Sequence, residues 1–234
     1  MTIDYESFMR ASTLSHSVQG ASLLLLGLAE IYTRDNPGHK AGLAGAIGLM
    51  LGGAASFIIL LVLPGSGSFN GLLEALAARK GFYIFVSFSC LFTAMGLSRL
   101  MQQLTGGKGR AWQAVFLLLL AATGVVYLLM GGRVNEEVAR QVMKQHLTIG
   151  VMLLLAVLVK AVNLFSGSRL LNRAWAILLI AVSVQLLAYR EKPGAFAVHT
   201  VTIQTGPVLP AAAGIALPVD LKNAAPPLKK RPGN

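Results

Sequence analysis

Residues 41–63 read AGLAGAIGLMLGGAASFIILLVL: 23 consecutive positions without a charged, amide or proline side chain. At about 1.5 Å per helical residue this stretch is long enough to cross a hydrocarbon layer of about 30 Å. It stops at Pro64-Gly65-Ser66-Gly67-Ser68, residues that suit a loop and not a continuing helix. A water-soluble domain has no need of so long an apolar helix, whereas lipid has no other way to accommodate backbone amides than to bond them within one segment.

Working outward, five further runs have the same character. The first spans about Val18 to Ile31, extended by Ser12–Ser17 and Tyr32. It ends in Thr33-Arg34-Asp35-Asn36-Pro37-Gly38, a turn with no small-x-small cleavage pattern, and so reads as a retained span. The third covers Phe82 to about Met101, the fourth Trp112 to Met130, the fifth His146 to Phe165 and the sixth Leu170 to Tyr189. Tight connections at 106–110 and 166–168 join the third to the fourth and the fifth to the sixth. Residues 69–78, FNGLLEALAA, are apolar at helical spacing but too short to span, and read as a helix lying at the membrane surface. Residues 133–145 form a polar, helix-forming lead-in to the fifth run. Ten-residue alternating patterns of the barrel kind are absent. The fold class is therefore all-α, a polytopic bundle of about six spans over residues 1–193. An extended Pro/Ala-rich tail follows at 194–234, with one short strand conceivable at Val198–Gln204.

Composition agrees. Of 234 residues, 55% are apolar and 12% charged, and the mean hydropathy is +0.66. Soluble domains carry roughly 25% charge. The formal charge of +11 is no nucleic-acid stripe, because the basic residues lie between and just beyond the apolar runs, where headgroup anchors and topology signals belong. Near the spans they balance on the two sides. The basic end of the tail, Lys229-Lys230-Arg231, tips the orientation toward cytoplasmic termini. Cys90 stands alone in an apolar run, so no intramolecular disulfide or cysteine metal cluster is available.

Ionisable or ligating groups at membrane depth are the candidates for function. Glu30 reads first as an interfacial carboxylate paired with Arg34 at i,i+4, and in a sharper version as a proton or cation site. Lys160, one turn from the end of the fifth run, reads as a snorkelling lysine. His16 opens the first span and His146 the fifth. Those helices run the same way, so both imidazoles sit at one level on the terminal side. Two neutral imidazoles from two spans are what a b-type haem requires. The same pair, joined by His199 or Met143, would suit copper or zinc. A quinone-type hydrogen-bonding role and a merely structural one also stand open. Gly45, Gly48, Gly52 and Ser56 place small residues on one face of the second span, a seam for close helix packing within the chain or against a partner. Ser87, Ser89, Thr93 and Gln185 are expected to bond back to backbone or between helices.

Several function classes find no support. The 106–110 loop lacks a Walker spacing and a Ser or Thr after Lys108. There is no Ser/His/Asp set, no HExxH and no pair of intramembrane acids, so no catalytic motif is visible. Three readings remain: a membrane subunit of a larger complex with haem or quinone at the His16/His146 level, engaged in electron transfer; a small transporter or channel, disfavoured by the lack of Pro or acid in spans two to four; and a cofactor-free scaffold or assembly protein. Lipid, and other membrane subunits, are the expected partners; nucleic acid is not.

Overall fold

The computed structural model describes residues 5–36, 39–78, 80–105, 109–130 and 136–191, and the side chains of 6–36, 39–78, 80–105, 109–130 and 142–191 among them. These residues form seven helices: α1 (Tyr5–Asp35), α2 (Ala41–Val62), α3 (Phe69–Ala78), α4 (Tyr83–Leu104), α5 (Arg110–Leu129), α6 (Glu136–Ser166) and α7 (Arg169–Ala188). A single 3-10 turn, Lys80–Phe82, leads into α4. There is no strand among the described residues. The tail at 194–234 lies outside them, as does the strand expectation at 198–204.

Six of the helices, all but α3, are long and apolar enough to cross a membrane. Their connections are short because the turn chemistry is right. Between α6 and α7, Gly167 takes the left-handed conformation (φ 60°) that ends a helix without a Cβ clash. Its amide donates to the Asn163 carbonyl at 2.9 Å. Ser168 then caps α7, accepting from the Leu171 amide.

The packing order is a closed ring. α1 packs on α2, α2 on α4, α4 on α5, α5 on α6, α6 on α7, and α7 back on α1. Close approach is bought by glycine at two places. A methyl on Gly45 would lie 3.1 Å from the Ala29 Cβ and one on Gly48 would strike Leu25, so this face of α2 meets α1. Gly52 faces Ser22 of α1, and Ser56 is buried on the same helix. On the other side of α2, a methyl on Gly96 of α4 would lie 2.8 Å from the Ala46 carbonyl oxygen. Backbones in contact gain van der Waals attraction where lipid supplies no hydrophobic drive. In lipid terms the exterior of the ring is right too. Leu51, Ile58, Leu118, Leu158, Ile177 and Phe165 all point outward.

Inside the ring, Leu23, Phe88, Phe92, Leu120, Leu153 and Leu179 make an apolar middle. α3 buries Leu72 and Leu76 against Phe8, Leu60, Phe82 and Phe85, covering the terminal side of the bundle. The fifth run does not begin a helix of its own at His146. From Glu136 onward the polar lead-in and the span are one continuous α6.

Candidate functional site

α1 is the least hydrophobic of the six long helices, and its polar residues share a face. Ser12, Ser15, His16, Gln19, Ser22 and Glu30 are all buried, at the i, i+3, i+4 steps of one helical stripe. The stripe lines the interior of the ring from end to end, interrupted by Leu23 and Leu26. Two polar centres result, one at each end.

At the terminal end, His16 and His146 meet. α1 and α6 both pack on α7, which brings the rings to 5.7 Å between centroids with planes 18° apart. Tyr189, just past α7, lies 4.2 Å from His16 and 5.6 Å from His146, again nearly parallel to both. Two rings 4.2 Å apart and close to parallel must be stacked face to face. His146 is almost equidistant from the two and nearly parallel to both. The imidazole planes are therefore nearly parallel, with Tyr189 stacked against His16. Tyr127, whose hydroxyl donates to Gln19 Oε1 at 2.8 Å, closes in 5.6 Å from His146.

The nitrogens of this pair are unusual. His16 Nδ1 lies 2.8 Å from the Ser12 carbonyl oxygen. A carbonyl can only accept, so Nδ1 carries the proton and Nε2 the lone pair. That lone pair is buried and has no partner, and neither nitrogen of His146 has one. Buried imidazole nitrogens normally find hydrogen bonds. A carbonyl holding one ring nitrogen while the other stays bare is also the arrangement by which ligating histidines are oriented.

Beside the rings opens a cavity of about 560 Å3, with His16, His146, Ser12 and Glu191 as its polar wall. Phe82, Ile84, Phe85, Met130 and Val142 supply apolar wall, and Lys80 lies at its lining. Volume and lining are those of a small-molecule site. Glu191 accepts from Tyr189 Oη and from Ser12 Oγ. Burial holds its carboxyl above the ordinary range, against the pull of those two bonds.

Of the further ligands considered for a metal, Met143 is 45% exposed and does not line the cavity, and His199 lies outside the described residues. No cluster of three or more His, Cys, Asp or Glu suited to a metal ion occurs among the described residues.

At the opposite end the structure corrects two expectations. Glu30 does not pair with Arg34, whose guanidinium instead donates to the Arg169 carbonyl at 2.6 Å. Glu30 faces inward and is gripped by Arg99 of α4 through Oε1 and by Lys160 of α6 through Oε2, the latter at 3.1 Å. Nor does Lys160 snorkel: it is 7% exposed, beside Glu30 at 6% and Arg99 at 8%. Its ammonium also donates to Asn172 Oδ1 at 2.8 Å. Arg99 reaches Gln102 and Gln113 as well. Helical position told which face each residue occupies, not which faces look inward; a Coulomb partner inside the ring outcompetes the interface once α1, α4 and α6 converge.

Ser87, Ser89 and Thr93 bond back to the carbonyls of Tyr83, Phe85 and Ser89. No family model, curated protein or solved structure matches the chain. Function has to be read from these two centres.

Proposed function

We propose that the chain is an electron-transfer subunit of a membrane complex, in which His16 and His146 would hold a b-type haem at the terminal end. The observation that carries this reading is the near-parallel pair of buried imidazoles with bare nitrogens, 5.7 Å between centroids. Haem asks the protein for two such ligands and an apolar slot, whereas a closed zinc or copper site asks for three or four. The cavity walls are of the right character for a porphyrin's apolar body, and Lys80 suits a propionate. When bound, the haem supplies a one-electron carrier. The chain's residues then have definite tasks: the Ser12 carbonyl fixes the His16 tautomer, Tyr189 holds its ring plane, and the aromatic wall excludes water. A carrier within a membrane needs a donor and an acceptor, so partner subunits belong to the reading.

The test is a reduced-minus-oxidised visible spectrum of the detergent-purified chain, produced with haem available or titrated with haemin. The expected result is a haem α band lost in both His16→Ala and His146→Ala, with helix content by circular dichroism unchanged. A folded, colourless protein that takes up no haemin overturns the haem assignment. Should such a preparation instead yield an extractable quinone, dependent on His146, the cavity is a quinone site.

A further inference from the structure

The second centre carries an inference independent of the haem. Glu30, Arg99 and Lys160 put two cations against one carboxylate, leaving one positive charge uncompensated in the interior of a lipid-embedded ring. Such a charge is costly in a medium of low dielectric and calls for a counter-charge.

The hydrogen-bond inventory points the same way. Both carboxylate oxygens of Glu30 are in use, by Arg99 and Lys160. Gln102 Oε1 accepts from Arg99, and Gln113 Oε1 accepts from both Arg99 and Gln102. Asn172 Oδ1 accepts from Lys160 and Asn163. What is left over is mainly donors. Gln113 Nε2 and Trp175 Nε1 are buried without a partner. The Gln113 amide is held inside the cluster by its own oxygen, which accepts from Arg99 at 3.2 Å. The indole of Trp175 lies 5.2 Å from Lys160 Nζ. One acceptor, Asn163 Oδ1, is also unmet, on an amide at the outer edge whose nitrogen already reaches Asn172.

We infer that the Glu30–Arg99–Lys160 cluster binds a small monovalent anion of the chloride class, received by the idle N–H groups of Gln113 and Trp175 beside the two cations. The anion cancels the excess charge and gives both orphan donors an acceptor. A doubly charged anion would leave a net negative charge in the same enclosure.

The test uses the full chain purified in detergent, exchanged into gluconate, and titrated with chloride at constant ionic strength while Tm is followed by circular dichroism. Tm is expected to rise saturably with chloride or bromide and not with gluconate or sulfate. Gln113→Leu and Trp175→Phe should each raise the half-saturating concentration about tenfold, as loss of one hydrogen bond to a charged group does. Glu30→Gln should lower it, since the carboxylate competes for the same cations. A second readout covers the case in which Gln113→Leu does not fold. In Trp112→Phe the remaining indole is Trp175, and bromide should quench its fluorescence saturably at the midpoint seen in Tm. A Tm that follows ionic strength whatever the anion overturns the inference and leaves a neutral Lys160 as the source of charge balance. So does a halide midpoint that neither Gln113→Leu nor Trp175→Phe moves, or quenching that never saturates.

Discussion

The two ends of the ring solve the problem of buried polarity in opposite ways. At the terminal end the groups are neutral and under-bonded: two imidazoles with bare nitrogens, next to a cavity. At the other end they are charged and heavily bonded, with the carboxylate shared between two cations. Between them lies apolar packing, joined to the histidine end by the Tyr127–Gln19 bond. Stability and availability have been separated along one axis. A site that is to take a ligand must leave bonding capacity idle, and idle capacity costs free energy. The charged end is where α1, α4 and α6 are locked together, which lets the histidine end stay unfinished.

The sharpest way to break this contrast is Glu30→Gln. Removing the shared carboxylate leaves Arg99 and Lys160 facing each other, and breaking a buried pair by deleting one partner costs about 3–5 kcal/mol. Unfolding in mixed detergent micelles should show a loss of that size. An effect below about 1 kcal/mol would reduce the charged end to a surface-like pair. Tyr127→Phe comes next. It strands the buried Gln19 amide oxygen, an unsatisfied polar group worth about 1–3 kcal/mol, in the same unfolding assay. At the histidine end the sign reverses. Replacing the unbonded His146 by Leu, in protein free of ligand, should be neutral or stabilise by about 1 kcal/mol, while abolishing haem uptake. A large destabilisation would mean that His146 is a structural bond and not idle capacity.

The smallest effect is one of pH. Because the folded Glu191 carboxyl is held above its ordinary range, the native state binds this proton more tightly than the unfolded chain. Its contribution is complete at low pH and is lost as pH rises from the ordinary carboxyl range through the raised value. Tm of Glu191→Gln should therefore match the parent in acid and exceed it above that window. Equal pH profiles would show that the cavity wall is as wet as bulk water.

Much of the architecture is legible in the residues alone. Long apolar runs and the turn chemistry at 64–68 and 166–168 suffice to place the spans and the short helix at 69–78, because in lipid the backbone has one solution and length does the rest. That His16 and His146 share a level follows from counting helices. That their rings meet does not: α1 and α6 become near neighbours only because α7 returns to close the ring. The charged cluster is harder still. Glu30 and Lys160 are visible as ionisable residues, yet a nearby Arg34 and a nearby interface are each a sufficient local explanation. The useful signal was collective. Arg99, Gln102, Gln113, Asn163 and Asn172 all fall within about one and a half turns of the same ends of their helices, a density of polar groups that lipid-facing positions would not sustain. The polar stripe of α1, Ser12-Ser15-His16-Gln19-Ser22, was likewise readable from spacing alone. It marks α1 as the helix turned furthest from lipid.

Closure of the ring through the α1–α7 contact has a bearing on how the protein is made. The helix with the most hydrophilic inward face precedes the others in the chain, and the neighbour that closes the ring against it is the last of the seven to be synthesised. Until α7 arrives, the ring stays open between α1 and α6, and His16 lacks the Tyr189 ring stacked on it. Assembly is thus governed by a contact between segments more than a hundred residues apart, and a nascent chain arrested before residue 169 would hold every span but one and still lack a shielded interior.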